Sequence, residues 1–328
     1  MRFPVSKLLP LIGLALFALI LLNIGVELVF NALLKADPLL LGLAILVTFF
    51  SIFLKAFKWQ MIAKAAEFRI SSGKAFRYWL VGFFYSAVTP GRIGDFVRAF
   101  LARNEAGSLA KSFFSVLADR LIDVAILLLL SIASAALIAQ LFGVQVISIA
   151  ALAAFALALI LAFYFFKKEE RAKKILKPFF SILVPQKFRG LLRDAFSETY
   201  KELAIAKKRK PLLAVASLTG LISMIVSFLA FYLIALSLGI SIDPLFFFLC
   251  MPLVMIVDLL PVSFSGIGTR DLLLIYLFSL QAISANQAVA FSFLYLAFGY
   301  ILIAFVGFLF SLKEKIDLNI GIGGENNG

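Results

Sequence analysis

Stretches of spanning length run through this sequence almost without charge: residues 121–142, where Asp123 is the single ionised side chain, and residues 144–166, 211–238 and 288–312. A helix needs roughly 20 apolar residues to cross a hydrocarbon slab about 30 Å thick. The runs are continuous rather than alternating, which excludes the period-two pattern of a barrel strand. Hydrophobic residues make up 63% of the chain and charged ones only 15%, too little polar surface to clothe a soluble core. The expected fold class is therefore all-α, a polytopic helical membrane protein.

Charge then places the loops. The formal net charge is +13, from 31 basic and 18 acidic residues. No basic groove with interleaved exposed aromatics is visible, so nucleic acid is not an expected partner, and the excess fits cytoplasmic loops under the positive-inside rule. Arg2 and Lys7 put the amino end inside, and the apolar run after them continues to residue 34, as a first span rather than a secretion signal. Residues 8–34 then cross outward and 38–54 return. Residues 55–77, with Lys55, Lys58, Lys64, Arg69, Lys74 and Arg77 against Glu67, are expected in the cytoplasm. Residues 121–142 and 144–166 form a hairpin around Gly143. Residues 167–210 are cytoplasmic, 211–238 exit and 288–312 re-enter, and Lys313 and Lys315 hold the carboxyl end inside. This gives about six full spans in one integral membrane domain, 1–320, followed by a flexible tail, 321–328. A multi-pass protein of the cell membrane with both termini cytoplasmic is expected.

Residues 78–103 and 245–281 do not fit simple spans. Pro90 and Gly91 interrupt the first, and residues 261–268, from Pro261 to Gly268, interrupt the second. Both suit re-entrant helical hairpins, one entering from each side, for eight to ten membrane helices in all. Such turns survive at membrane depth only when buried in protein or beside water. The breaks resemble each other: Pro90-Gly91-Arg92-Ile93-Gly94-Asp95 and Ser265-Gly266-Ile267-Gly268-Thr269-Arg270-Asp271 each give a glycine turn, an arginine, an aspartate and a new helix. An inverted-repeat-like pattern of this kind points to a transporter site near the midplane. The plainer reading is two kinked helices.

A charged side chain at the bilayer centre costs about 2.5–3.5 kcal/mol on insertion scales, so such residues are usually paired or functional. Arg92, Asp95 and Arg98 sit at the first break, and Asp95 and Arg98 share a helix face. Asp119, Arg120 and Asp123 open the next span, and Arg120 either pairs locally or reaches the break. The bland alternative is an interfacial charge cluster. Asp258, Arg270 and Asp271 frame the second break, with Arg270 or Arg92 as partners for Asp258; Glu27 is a weaker candidate. Two arginines beside a helix amino terminus suit a phosphate. With no histidine and the lone Cys250 in an apolar run, no disulfide within the chain and no metal or haem cofactor is expected. From Phe188 onward, Leu191, Leu192, Phe196, Tyr200 and Leu203 recur at helical spacing among basic residues, as in a connector lying on an anionic inner leaflet.

These residues carry a family resemblance over nearly the whole chain. The chain resembles the transmembrane region of lysylphosphatidylglycerol synthases, the flippase-like or UPF0104 membrane family. A Pro-Gly-Arg-x-Gly-Glu segment followed by arginine is matched by Pro90, Gly91, Arg92, Gly94, Asp95 and Arg98. A Glu-Arg-x-x-Asp is matched by Asp119, Arg120 and Asp123. A late Pro…Gly-Gly-x-Gly-x-Arg-Glu is matched by Pro261, Gly266, Gly268, Arg270 and Asp271, and an early basic-Trp pair by Lys58-Trp59. Aspartate stands for glutamate at 95, 119 and 271, and Ser265 stands where the family usually has glycine. Those synthases carry a soluble aminoacyl-transferase domain after the membrane part, and this chain ends without one. The resemblance thus implies lipid translocation rather than lysyl transfer. The expected function is a lipid translocase in which Arg92, Arg98, Arg120 and Arg270 hold the phosphate of an anionic phospholipid or polyisoprenyl phosphate lipid, and Asp95, Asp123, Asp258 and Asp271 position those arginines. The alternatives are an integral-membrane enzyme on a lipid-linked phosphate or sugar, with Asp95 or Asp258 as base, and a membrane partner of a separately encoded transferase.

Overall fold

A computed structural model describes residues 27, 31, 33–89, 94–143, 202, 205, 206, 208–259 and 266–314, and all regular structure among them is helical. Helix α1, Pro38–Ala65, begins where the Asp37 carboxylate accepts the backbone N–H groups of Leu39 and Leu40 at 2.8 and 3.3 Å, with Pro38 at its first position. Helix α2, Ser72–Val88, is capped by Ser71. Two short helices follow, α3 (Val97–Leu101) and α4 (Arg103–Ala106), and Gly107 in the left-handed region ends them. Helix α5, Leu109–Phe142, starts at a Ser108 cap and stops at Gly143, whose φ of 69° suits glycine. Helix α6 is Lys210–Ser237, and α7, Pro244–Val257, is capped by Asp243. Helix α8 is Thr269–Ser279. The last rod runs through α9 (Ala285–Leu296), a π-helical turn (Ala297–Ile301) and α10 (Leu302–Ser311).

Among the described residues, Pro38–Ala65, Leu109–Phe142, Lys210–Ser237 and Ala285–Ser311 are long and apolar enough to cross a membrane. At about 1.5 Å per residue, α1 and α6 reach roughly 42 Å and α5 roughly 51 Å, so all three project beyond the hydrocarbon. Leu39, Leu46, Leu129 and Leu218 are exposed large apolar side chains on these helices, as a lipid-facing surface requires. The protein is thus a polytopic helical membrane protein.

Helix α1 packs along α6, α2 along α10 and α5 along α7. The buried apolar residues fall into two main groups. One joins Ile52, Trp59, Leu80 and Phe113 between α1, α2 and α5. The other joins Phe228, Phe247, Leu277 and Phe291 between α6, α7, α8 and α9. Gly307 brings α10 against the Leu80 carbonyl, where any Cβ would overlap the α2 backbone.

Several boundaries differ from the sequence expectation. Residues 55–65, expected in a cytoplasmic loop, continue α1 by three turns, and Lys58 lies fully buried there. It is tolerated because two aspartates from α5 meet it. Helix α5 begins twelve residues before the expected 121. Each stretch expected to re-enter is a helix, a break and a second helix: α2 then α3, and α7 then α8. Nearly all of the expected span 8–34, the expected span 144–166, the tail and nearly all of the connector 167–210 lie outside the described residues.

Candidate functional site

Six ionised side chains from α1, the turn at residues 94–96, α3 and α5 form a closed ring in which charge alternates. Lys58 Nζ lies 2.8 Å from Asp119 Oδ1, and Asp119 Oδ2 accepts from Arg98 Nη2 at 3.0 Å. Arg98 Nη2 also donates to Asp95 Oδ2 at 2.6 Å, and the same oxygen accepts from Arg120 Nε. Arg120 Nη1 is 3.9 Å from Asp123 Oδ2, and Asp123 Oδ1 returns to Lys58 Nζ at 2.5 Å. Three cations face three anions. Local spacing explains part of this. Asp119 and Asp123 are one helical turn apart and both reach Lys58, while Arg120 points to the neighbouring face and reaches Asp95.

The ring is not uniform. The side chains of Lys58, Arg98, Asp119 and Asp95 are at most 3% exposed, whereas Arg120 is 33% and Asp123 22% exposed. These two also share the longest link. The Arg98 guanidinium lies over the Trp59 ring at 5.0 Å, and Trp59 Nε1 donates to Ser115 Oγ at 3.1 Å. Arg98 Nε and Nη1 have no hydrogen-bond partner among the described residues. Gly82 and Gly220 make room for the ring: a Cβ at Gly82 would lie 2.5 Å from Arg98 Cγ, and one at Gly220 would lie 3.1 Å from Lys58 Cδ. Gly94 closes the first break, donating its N–H to Thr89 Oγ1 at 2.8 Å where a Cβ would overlap the Tyr85 carbonyl.

A second buried group forms at the second break. Arg270 Nε donates to Ser292 Oγ at 2.9 Å, and Ser292 Oγ donates to Asp271 Oδ1. Asp271 Oδ2 accepts the Gly268 N–H at 2.7 Å and so caps its own helix. Arg270 Nη1 is 3.9 Å from Asp258 Oδ1, and its guanidinium lies 4.8 Å from the Tyr295 ring. Tyr295 and Tyr300 both donate to Asp258 Oδ2, at 2.7 and 3.0 Å. On an α-helix, positions five apart point about 140° away from each other. The π turn at Ala297–Ile301 begins after Tyr295 and contains Tyr300, and its wider winding turns both toward one oxygen. Gly266 sits against the Asp258 carboxylate, leaving no room for a Cβ.

The sequence suggests one seat for Arg92, Arg98, Arg120 and Arg270, yet the structure sets Arg270 apart from Arg98 and Arg120. The ring lies level with Gly220 on α6, and the second group lies level with Phe231, whose ring is 4.3 Å from Tyr295. That difference is about 16 Å along the helix. Phe83, next to Gly82 on α2, is 6.0 Å from Tyr300, which is 5.9 Å from Tyr295. Arg92, Pro90, Gly91 and Pro261 lie outside the described residues, and Glu27 is exposed. Sequence reasoning missed Lys58 as a member of the site, and it missed Ser292, Tyr295 and Tyr300. The signal for Lys58 was the Asp119/Asp123 pair on one face, which demands a cation. Among the described residues no group of three acids or cysteines is placed to hold a metal ion.

The family model for the lysylphosphatidylglycerol synthase transmembrane region matches residues 10–307. A UPF0104 membrane protein of Pyrococcus horikoshii is 29% identical, with the match covering 87% of this chain and 89% of the relative. A second UPF0104 membrane protein, from Methanothermobacter thermautotrophicus, is 24% identical over 87% of this chain and 88% of its own length. No solved structure matches the chain.

Proposed function

The chain belongs to the family of the lysylphosphatidylglycerol synthase transmembrane region, and from that premise we propose that it carries an anionic lipid headgroup across the membrane through its arginine and carboxylate groups. The observation that supports this most is the closed ring. Burying ion pairs is weak evidence for stability, because apolar residues of similar volume often serve a fold as well or better. Six ionised side chains, four of them on the spanning helices α1 and α5, therefore speak for a use beyond holding the fold together.

The ring suits a phosphate. Guanidinium forks match phosphate oxygens, and Arg98 and Arg120 stand side by side on the shared Asp95 oxygen. With its six charges balanced, the empty ring leaves no net charge in the membrane. Lys55, one turn before Lys58 on α1 and half-buried beside Trp79 at 5.7 Å, adds a cation nearby when an anion arrives. The acyl or isoprenoid tails stay in lipid while the headgroup passes. Asp95 already accepts from two arginines, and Asp258 already accepts from two tyrosines, so neither is a ready general base; this favours carriage over lipid chemistry. The basic helix ends would face the cytoplasm of a cell membrane under the positive-inside rule.

The test is reconstitution of the purified protein in liposomes containing headgroup-labelled anionic phospholipid, followed by quenching with a membrane-impermeant reductant. Quenching beyond the outer-leaflet fraction is expected, falling at least tenfold in rate in Arg98→Gln and in Arg270→Gln. A chemically altered lipid product, or full transport by both variants, would overturn the reading. Co-purification of a soluble transferase would instead favour the partner role.

A further inference from the structure

The ring has a built-in weak edge. Every link but one is at or below about 3 Å, and the exception, Arg120 to Asp123 at 3.9 Å, joins its two partly exposed members. The other four side chains are sealed, so a group approaching the ring meets Arg120 and Asp123 first. Asp123 holds two cations from that position: Lys58 through one oxygen and Arg120 through the other. A phosphate of the headgroup presents the same chemistry, at least two anionic oxygens about the width of a carboxylate apart. Behind this edge Arg98 keeps Nε and Nη1 without hydrogen-bond partners among the described residues, so further donors wait within the ring.

Resting on the translocation reading, we infer that Asp123 is an internal stand-in for the substrate phosphate: it occupies Arg120 and Lys58 while the site is empty, and the headgroup displaces it. The carboxylate is then a competitor that sets affinity and speeds release. When the headgroup leaves, Asp123 returns and closes the ring. Asp119, fully buried between Lys58 and Arg98, has a different duty. It holds the frame and is not displaced.

The experiment uses the full chain in nanodiscs, in a Trp79→Phe background, so that Trp59 beside Arg98 is the only remaining tryptophan. Trp59 fluorescence is followed on titration with dioleoyl phosphatidate, phosphatidylcholine and inorganic phosphate, and retained lipid is counted by native mass spectrometry. In Asp123→Asn the apparent Kd for phosphatidate should fall about tenfold while translocation slows, because release becomes limiting. Asp123→Glu should restore the competitor and return the Kd toward that of the wild type. Asp119→Asn should not tighten binding. Equal tightening toward inorganic phosphate also supports displacement and places recognition in the phosphate alone. An unchanged or weaker Kd in Asp123→Asn, with phosphatidate still bound by the wild type, would overturn the stand-in role and leave the translocation reading intact. A wild type that retains phosphatidate no better than phosphatidylcholine would overturn both.

Discussion

Replacing Lys58 by methionine keeps the apolar stem of the side chain, one atom shorter, and removes one charge. The ring would then hold Arg98 and Arg120 against Asp95, Asp119 and Asp123. Asp119 would keep one guanidinium contact at 3.0 Å, and Asp123 would keep only the 3.9 Å link. Removing one partner of a buried pair typically costs about 3–5 kcal/mol, because the survivor stays charged in a poorly solvating place. Partial exposure of Asp123 lets water relieve some of that penalty, while Asp119 has no such relief, so the lower end, about 3 kcal/mol, is expected. At roughly 2–4 °C per kcal/mol the midpoint should fall about 6–12 °C. The assay is built into the chain. Cys250, the single cysteine, is fully buried, and its reaction with a thiol-specific fluorophore on heating in detergent reports unfolding. The decisive comparison is Lys58→Met with Asp119→Asn. The double variant restores two cations against two anions and should recover at least half of the lost midpoint. A Lys58→Met midpoint within 2 °C of the wild type, or a double variant as labile as the single one, would refute the compensated ring.

Further outcomes follow from the second group and the helix contacts. Tyr295→Phe and Tyr300→Phe each remove a hydrogen bond to the Asp258 carboxylate, a type worth about 1.5–3 kcal/mol. The buried, shorter Tyr295 bond should cost more than the half-buried Tyr300 bond, measured as Cys250 labelling midpoints. Gly307→Ala forces a methyl into the Leu80 carbonyl, so α2 must move away from α10. A loss of about 1–3 kcal/mol is expected by the same labelling assay, as for other overpacked contacts. Gly42→Ala, where a Cβ meets nothing within 4 Å, serves as its control.

Much of the fold is legible in one dimension. Runs of uncharged residues mark where helices cross, because the hydrocarbon slab dictates length and excludes charge. Asp37-Pro38 and Asp243-Pro244 announce helix starts by local chemistry, and Gly143 marks a helix end. The two breaks could also be read, since proline and glycine interrupt apolar runs. Lys58 was hidden by the same logic that worked elsewhere. A cluster of lysines and arginines looks like a cytoplasmic loop, and nothing near Lys58 in sequence reveals that α1 continues through it.

Residue types alone therefore determined that this is a helical membrane protein, that carboxylates and arginines enter its spans, and that chain breaks accompany them. These depend on local sequence and on the energetics of the lipid. Tertiary structure decided which charges meet. Lys58 and Asp119 are 61 positions apart and Asp95 and Arg120 are 25 apart, so the ring exists only once α1, α3 and α5 are packed. The same holds for the distance between the ring and Arg270, and for the π turn that brings Tyr295 and Tyr300 to one oxygen. Charge pairing inside a membrane is set by geometry between helices, and sequence spacing carries no record of it beyond a single helical turn.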